Sequence, residues 1–387
     1  MDKTILFYPS GHGFGHAVRQ IEIIKEIFKY NIENGSRHRV IVRTMAPEWI
    51  LRKSLFLYFE RLYPRDLEKI PGWFSCQKVQ SDVGTAQKDS LNMDIGATYE
   101  AAREFYSNFN ERAAREAEFI VSAGADIVVG DIPPLAFAAA SAAGVKSIGG
   151  TNFSWDFIYE EFLPDNPGFA GIIDTIRGAY AKCGKLLRLP FACPLPAFDN
   201  IVDTGLIARK PYIARSETMG LLGLDPDEFE GRTGVMISFG GFDTGGIKHS
   251  NLARCAEKFI FLTTVPPAEG ERYPVNVKFI DTAAAGISFE NLFTVFDVIV
   301  TKPGYGVVGD IIGAGAMCLY TDRGRFREYE YLVNFLEKHC ASSDYISRDE
   351  LLNCDLEEKI AGLSARRKTP PPIRLDGARQ CAMAIIE

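Results

Sequence analysis

The feature that most restricts this chain is a strand-sized apolar run that ends in a glycine-rich turn and feeds a helix, a unit that recurs along its length. Thr4-Ile-Leu-Phe-Tyr8 leads into Gly11-His-Gly-Phe-Gly-His16, after which apolar residues return at Val18, Ile21, Ile24, Ile27 and Phe28 with helical spacing. Val40-Ile-Val-Arg-Thr44, Ile127-Val-Val-Gly130 and Ser147-Ile-Gly149 read as further strands. Past the midpoint the pattern restarts: Val235-Met-Ile-Ser-Phe239 precedes Gly240-Gly241, Phe259-Ile-Phe-Leu262 follows, and Val298-Ile-Val-Thr301 precedes Lys302-Pro-Gly-Tyr-Gly306. Short apolar strands alternating with helices predict parallel sheets covered on both faces.

The 387 residues suffice for two such units at roughly 100–200 residues per domain. Pro190, Pro194, Pro196 and Pro211 fall in a stretch without periodicity, so residues 190–211 are expected to link the halves. The expected division is therefore 1–200 and 201–370. A break at Thr369-Pro-Pro-Pro372 sets off a terminal segment, 371–387, with a helix from Leu375 to Ile386. The amphipathic stretch from Ile95 to Ser122 predicts one long helix with a solvated charged face.

Lys and Arg total 43 against 50 Asp and Glu, and neither half forms a basic arm, which argues against a nucleic-acid partner. The apolar run after Met1 is too short for a secretory leader, and the Ala-rich stretch from Pro133 to Val145 is far below the roughly 18 residues of a membrane span. Eight cysteines without a CxxC pair then read as reduced thiols of a soluble, cytoplasmic protein.

Glycines at the carboxyl edge of a parallel sheet let backbone approach a ligand, and the following helix offers free N–H groups to an anion. In the first loop His16, and secondarily His12, can act as a general base near neutral pH, with Gly13 beside the acceptor. The bland alternative is a tight turn whose histidines cap the helix. The spacing is not the dinucleotide pattern GxGxxG, and the two histidines bring no third ligand, so no metal is expected. In the second half, Gly240 and Gly241 suit a pyrophosphate, Lys302, Gly304, Tyr305 and Gly306 can face the phosphates, and Asp310 can take ribose hydroxyls or simply stabilise its helix dipole. Asp131, Asn152, Trp155 and Asp156, after strands of the first half, suit a sugar-like acceptor, although the two acids can equally be helix caps and the aromatic can be core.

Four ordered motifs carry a family resemblance: Gly11-His-Gly-Phe-Gly-His16, Asp82-Val-Gly with Gln87-Lys-Asp-Ser90, Thr151-Asn-Phe-Ser-Trp-Asp156, and Lys302-Pro-Gly-Tyr-Gly306. Over residues 4–340 the chain resembles the glycosyltransferase-like half of plant-type L-arabinokinases and stand-alone relatives, without their sugar-kinase half, so kinase activity is not expected. That half is in turn similar to GT-B glycosyltransferases, including the N-acetylglucosaminyltransferase of peptidoglycan synthesis. The resemblance implies an α/β fold of two Rossmann-like doubly wound parallel-sheet domains facing a cleft, with acceptor bound on the first and nucleotide-sugar donor on the second. It further implies that the last helix packs back on the first domain, that His16 is the base, and that Asp310 stands where many relatives have a ribose-binding Glu. The expected activity is metal-independent transfer of a hexosyl or related group from a UDP-sugar, with no cofactor, to an unidentified acceptor. Two rivals are a non-catalytic nucleotide-sugar or carbohydrate-binding protein and a GT-B-fold nucleotide-sugar epimerase, which needs several carboxylates around the anomeric carbon.

Overall fold

The computed structural model describes residues 1–86, 93–239 and 246–387. Its first seven strands are β1 (Thr4–Pro9), β2 (Arg39–Arg43), β3 (Phe74–Gln77), β4 (Ile127–Asp131), β5 (Lys146–Thr151), β6 (Lys185–Arg188) and β7 (Ile201–Asp203). They form one sheet in the order β3-β2-β1-β4-β5-β6-β7. The remaining six are β8 (Thr233–Ile237), β9 (Phe259–Thr263), β10 (Val277–Phe279), β11 (Val298–Thr301), β12 (Met317–Tyr320) and β13 (Ser343–Tyr345), ordered β10-β9-β8-β11-β12-β13. Every strand pair in both sheets is parallel, as the alternation of strand and helix requires.

The first helix, Phe14–Asn34, turns Ile21, Ile24, Ile27 and Phe28 into the core against Ile5 and Phe7 of β1. Full burial of such side chains contributes about 1.5–3 kcal/mol each before the entropy cost is counted. Gly35, in the left-handed region at φ 67°, ends the helix. The helix Gly377–Ile386 lies against the first helix and buries Cys381, Ala382, Ile385 and Ile386 in the same cluster.

Two details differ from the sequence reading. The expected helix from Ile95 to Ser122 is two helices, Ile95–Ser107 and Phe109–Ser122, because Asn108 leaves the helical region at φ −122° and ψ 30°. Its side-chain oxygen instead accepts from Arg112 Nε at 2.7 Å. The expected linker is also not free: β7 lies within it and completes the first sheet, which runs to Asp203, and Leu206, Ala208 and Ile213 already belong to the second core. None of the eight cysteines is in a disulfide. Among the described residues, no helix is long and apolar enough to cross a membrane.

Candidate active site

Doubly wound sheets bind ligands outside the carboxyl ends of the strands where strand order reverses. In the first sheet that point lies between β1 and β4, where Pro9 is in register with Asp131 and Ser10 N donates to Asp131 O at 3.0 Å. In the second it lies between β8 and β11, whose exits carry Ser238 and Lys302. Residues from both places line one cavity of about 760 Å³. The two glycine loops nearly touch across it, since a Cβ on Gly306 would lie 3.8 Å from Gly15 Cα.

His16 lines this cavity and is otherwise buried. Its Nδ1 is 3.0 Å from Asp131 Oδ1, a carboxylate with no exposure that also accepts from Arg19 Nε at 2.8 Å and Gln20 Nε2 at 2.7 Å. Burial alone would raise the pKa of Asp131, but Arg19 and then His16 overcome it and hold the group well below the usual carboxylate range. Asp131 therefore stands behind His16, off the cavity wall. Asn152 is likewise turned inward: its Oδ1 accepts from Arg19 Nη1 and its Nδ2 donates to Pro190 O at 2.5 Å. Asp156 is fully buried and accepts from Arg177 Nε at 3.2 Å. The structure places all three, expected from the sequence on the acceptor side, on protein side chains, and none lines the cavity. Trp155 and Gly13 do line it.

The turn before the first helix is open. Gly13 occupies the N-cap position at φ 76° without a side-chain cap, so the histidines do not cap the helix, and Gly13, Phe14, Gly15 and His16 line the cavity. His12 packs edge-on to Trp155 with centroids 5.7 Å apart, and its Nε2 is 3.2 Å from Thr85 Oγ1. Desolvation first, then the charges of His16, Arg323 and Lys302, lower its pKa to about 3, so His12 is a poor base near neutrality. Beneath it, Asp82 accepts from Trp155 Nε1 at 2.9 Å, and a Cβ on Gly84 would fall 2.4 Å from His12 Cγ. The described part of the second motif thus fixes the first and third; Gln87-Lys-Asp-Ser90 lies outside the described residues.

On the opposite side Lys302, Gly304, Tyr305 and Gly306 line the cavity. The helix Tyr305–Ala314 also begins without a side-chain cap, at Gly304. Tyr305 does less there than expected: its ring is stacked between Phe153 and Phe191, and its hydroxyl meets Cys193 Sγ at 3.3 Å. Asp310, expected from the sequence on the ribose, is turned to Arg209. It is buried, with Oδ1 accepting from Arg209 N and Oδ2 from Arg209 Nε, each at 2.9 Å, and it is absent from the cavity wall. Burial raises its pKa against the opposing pull of Arg209. Arg209 itself does reach the cavity. Gly240 and Gly241 lie outside the described residues.

Sequence reasoning missed Arg19, Arg209, Arg323 and Glu328. Glu328 is buried, takes Arg323 Nη1 on Oε1 at 3.1 Å, and lines the cavity with Oε2 unpartnered among the described residues. Arg19 had one available signal, its position one turn after His16. Glu328 sits in the charged run Asp322-Arg-Gly-Arg-Phe-Arg-Glu328, which reads as solvated surface.

No protein-family model matches the chain. An L-arabinokinase from Arabidopsis thaliana is 31% identical over 89% of this chain, which spans only 31% of that relative's length. Similar solved structures are GT-B glycosyltransferases. The calicheamicin glycosyltransferase CalG4 aligns with 100% of this chain and 94% of its own at TM-score 0.59 and 14% identity. UGT89C1 of Arabidopsis thaliana complexed with UDP aligns over 99% and 93% at TM-score 0.54 and 14% identity. With its two parallel, doubly wound sheets meeting at their switch points, the chain has the GT-B fold of these glycosyltransferases and is similar to about a third of an L-arabinokinase.

Proposed function

We propose that this protein transfers a glycosyl group from a nucleotide-diphosphate sugar, a UDP-sugar first among them, to the hydroxyl of an acceptor. The observation that carries this is the His16–Asp131 pair on one side of a cavity whose other side is a cationic, uncapped helix start at Lys302-Pro-Gly-Tyr-Gly306. The UDP complex of UGT89C1 supports the choice of nucleotide.

In the proposed reaction Asp131 fixes His16 with Nδ1 protonated, leaving Nε2 to take the proton of the acceptor hydroxyl. The acceptor oxygen bonds to the anomeric carbon as the bond from that carbon to the diphosphate oxygen breaks. The nucleoside diphosphate leaves with the electron pair, and the proton stays on His16 until solvent removes it. Lys302, the helix N–H groups and the guanidinium groups of Arg209 and Arg323 meet the charge that grows on the diphosphate. Glu328, on the cavity wall, would accept a hydroxyl of the donor sugar. As the one carboxylate of the described cavity wall, it does not make the cluster of acids an epimerase needs.

The test is a thermal-shift screen against UDP-, GDP-, ADP- and dTDP-sugars, followed by assay of sugar transfer or hydrolysis with the strongest stabiliser. A shift with one donor and slow donor hydrolysis lost in His16→Ala is expected. No shift with any of the four would overturn the assignment.

A further inference from the structure

Resting on the transfer function above, we propose that the acceptor is a hydroxylated compound with an aromatic or alicyclic body, received on an apolar lip beside His16, and not a free sugar. The lip consists of Phe14 and Trp49, which are 40% and 61% exposed. Phe14 lies two residues before His16, and its ring meets that of Trp49 edge to face with centroids 6.3 Å apart. Single exposed apolar side chains are ordinary, whereas two in ring contact on a cavity wall mark a binding surface.

The lip continues inward. Phe14 and Trp49 form part of the cavity wall with Ile50, and Ile287 and Phe289 contribute to it from the second half. A free sugar needs carboxylates or amides that bond its hydroxyls around such rings. Among the described residues the wall holds one carboxylate, Glu328, on the donor side, and no amide. Of the polar groups near the lip, Lys53 Nζ donates to Thr282 O at 2.8 Å and Ser288 Oγ is 2.8 Å from Tyr212 OH, while Ser54 also lines the wall. Asp131, Asn152 and Asp156, the acids and amide nearest on the sheet edge, are held by Arg19 and Arg177. The lip therefore offers ring surface for stacking and apolar burial, with His16 to meet one hydroxyl.

Calorimetric titration with three probes, 2-naphthol, D-glucose and UDP, tests this on the full chain and on Trp49→Ala, whose thermal midpoint checks its fold. Saturable binding of 2-naphthol is expected, weakened about tenfold in Trp49→Ala, or about 1.4 kcal/mol, with no saturable heat from glucose. Equal naphthol affinity in the two proteins, or glucose binding without naphthol binding, overturns the proposal. Absence of UDP binding overturns the transfer function on which it rests, while UDP binding without naphthol binding overturns the acceptor class alone.

Discussion

Asp131 Oδ1 lies 3.0 Å from His16 Nδ1 while the same carboxylate is paired with Arg19, so the acid behind His16 is itself neutralised by a buried guanidinium. Three residues on one turn of helix, His16, Arg19 and Gln20, converge on that single side chain at the end of β4. The arrangement binds the first helix to the sheet and sets the ring plane of His16 in one step. Held by these three side chains, Asp131 stays off the cavity wall.

Removing the carboxylate charge with Asp131→Asn should therefore lower kcat by about 10²–10⁴, the range for a disabled or misoriented general base. The thermal shift given by UDP should persist, because Lys302 and the second loop are untouched. Turnover within twofold of the parent would sink the orienting role of Asp131. The variant also leaves Arg19 without its charge partner, a loss of about 3–5 kcal/mol when a buried pair is broken. Urea unfolding checks that figure.

Glu328→Gln separates sugar from nucleotide. Loss of a hydrogen bond to a charged group costs about 1.5–3 kcal/mol, so affinity for the intact UDP-sugar should fall about tenfold or more. Affinity for UDP itself should hold, since Glu328 is assigned to the sugar. A parallel loss for both ligands would place Glu328 elsewhere in the site.

Strands and glycine turns were legible because parallel strands, buried on both faces, are written as unbroken apolar runs. The roles of the acids were not legible. Asp131, Asp156 and Asp310 each follow a strand or open a helix, and each could face a ligand as well as a basic side chain. What decides is a partner distant in sequence: Arg19 for Asp131, Arg177 for Asp156 and Arg209 for Asp310. No local pattern carries those pairings. Asn108 shows the same limit at smaller scale, because helical periodicity continues across it while its backbone does not. The histidines were found because their loop has a fixed place in the fold, yet only the packing of Trp155 and Gly84 on His12 distinguishes the two as bases.

That packing predicts a pH dependence of stability. The pKa of His12, lowered to about 3 by desolvation and by neighbouring positive charge, lies below the roughly 6.5 of an unfolded histidine. Between those values the unfolded chain binds the extra proton, so stability falls as pH drops from about 7 towards 3. His38 and His339, whose pKa values are also lowered by burial, act in the same direction. In His12→Gln the thermal midpoint should decline less over the same interval. An unchanged slope would mean that His12 is protonated in the folded state.

The chain returns to its first half by crossing over its own interdomain segment. Leu206 N donates to Arg374 O at 2.8 Å and Gly377 N to Leu206 O at 3.2 Å, so residues 374–377 cross directly over residues 205–206, where the chain passes between the sheets. Gly205 N also donates to Gln380 Oε1 at 2.9 Å. A Cβ on Gly377 would fall 2.1 Å from Gly205 O, and because the obstacle is backbone, no rotamer relieves it. Gly377→Ala must push the two segments apart and lift Cys381, Ala382, Ile385 and Ile386 from their cluster. A loss of about 1–3 kcal/mol is expected for such overpacking, read as a lower urea midpoint. An unaltered midpoint would show that the C-terminal helix reaches the first core by another path.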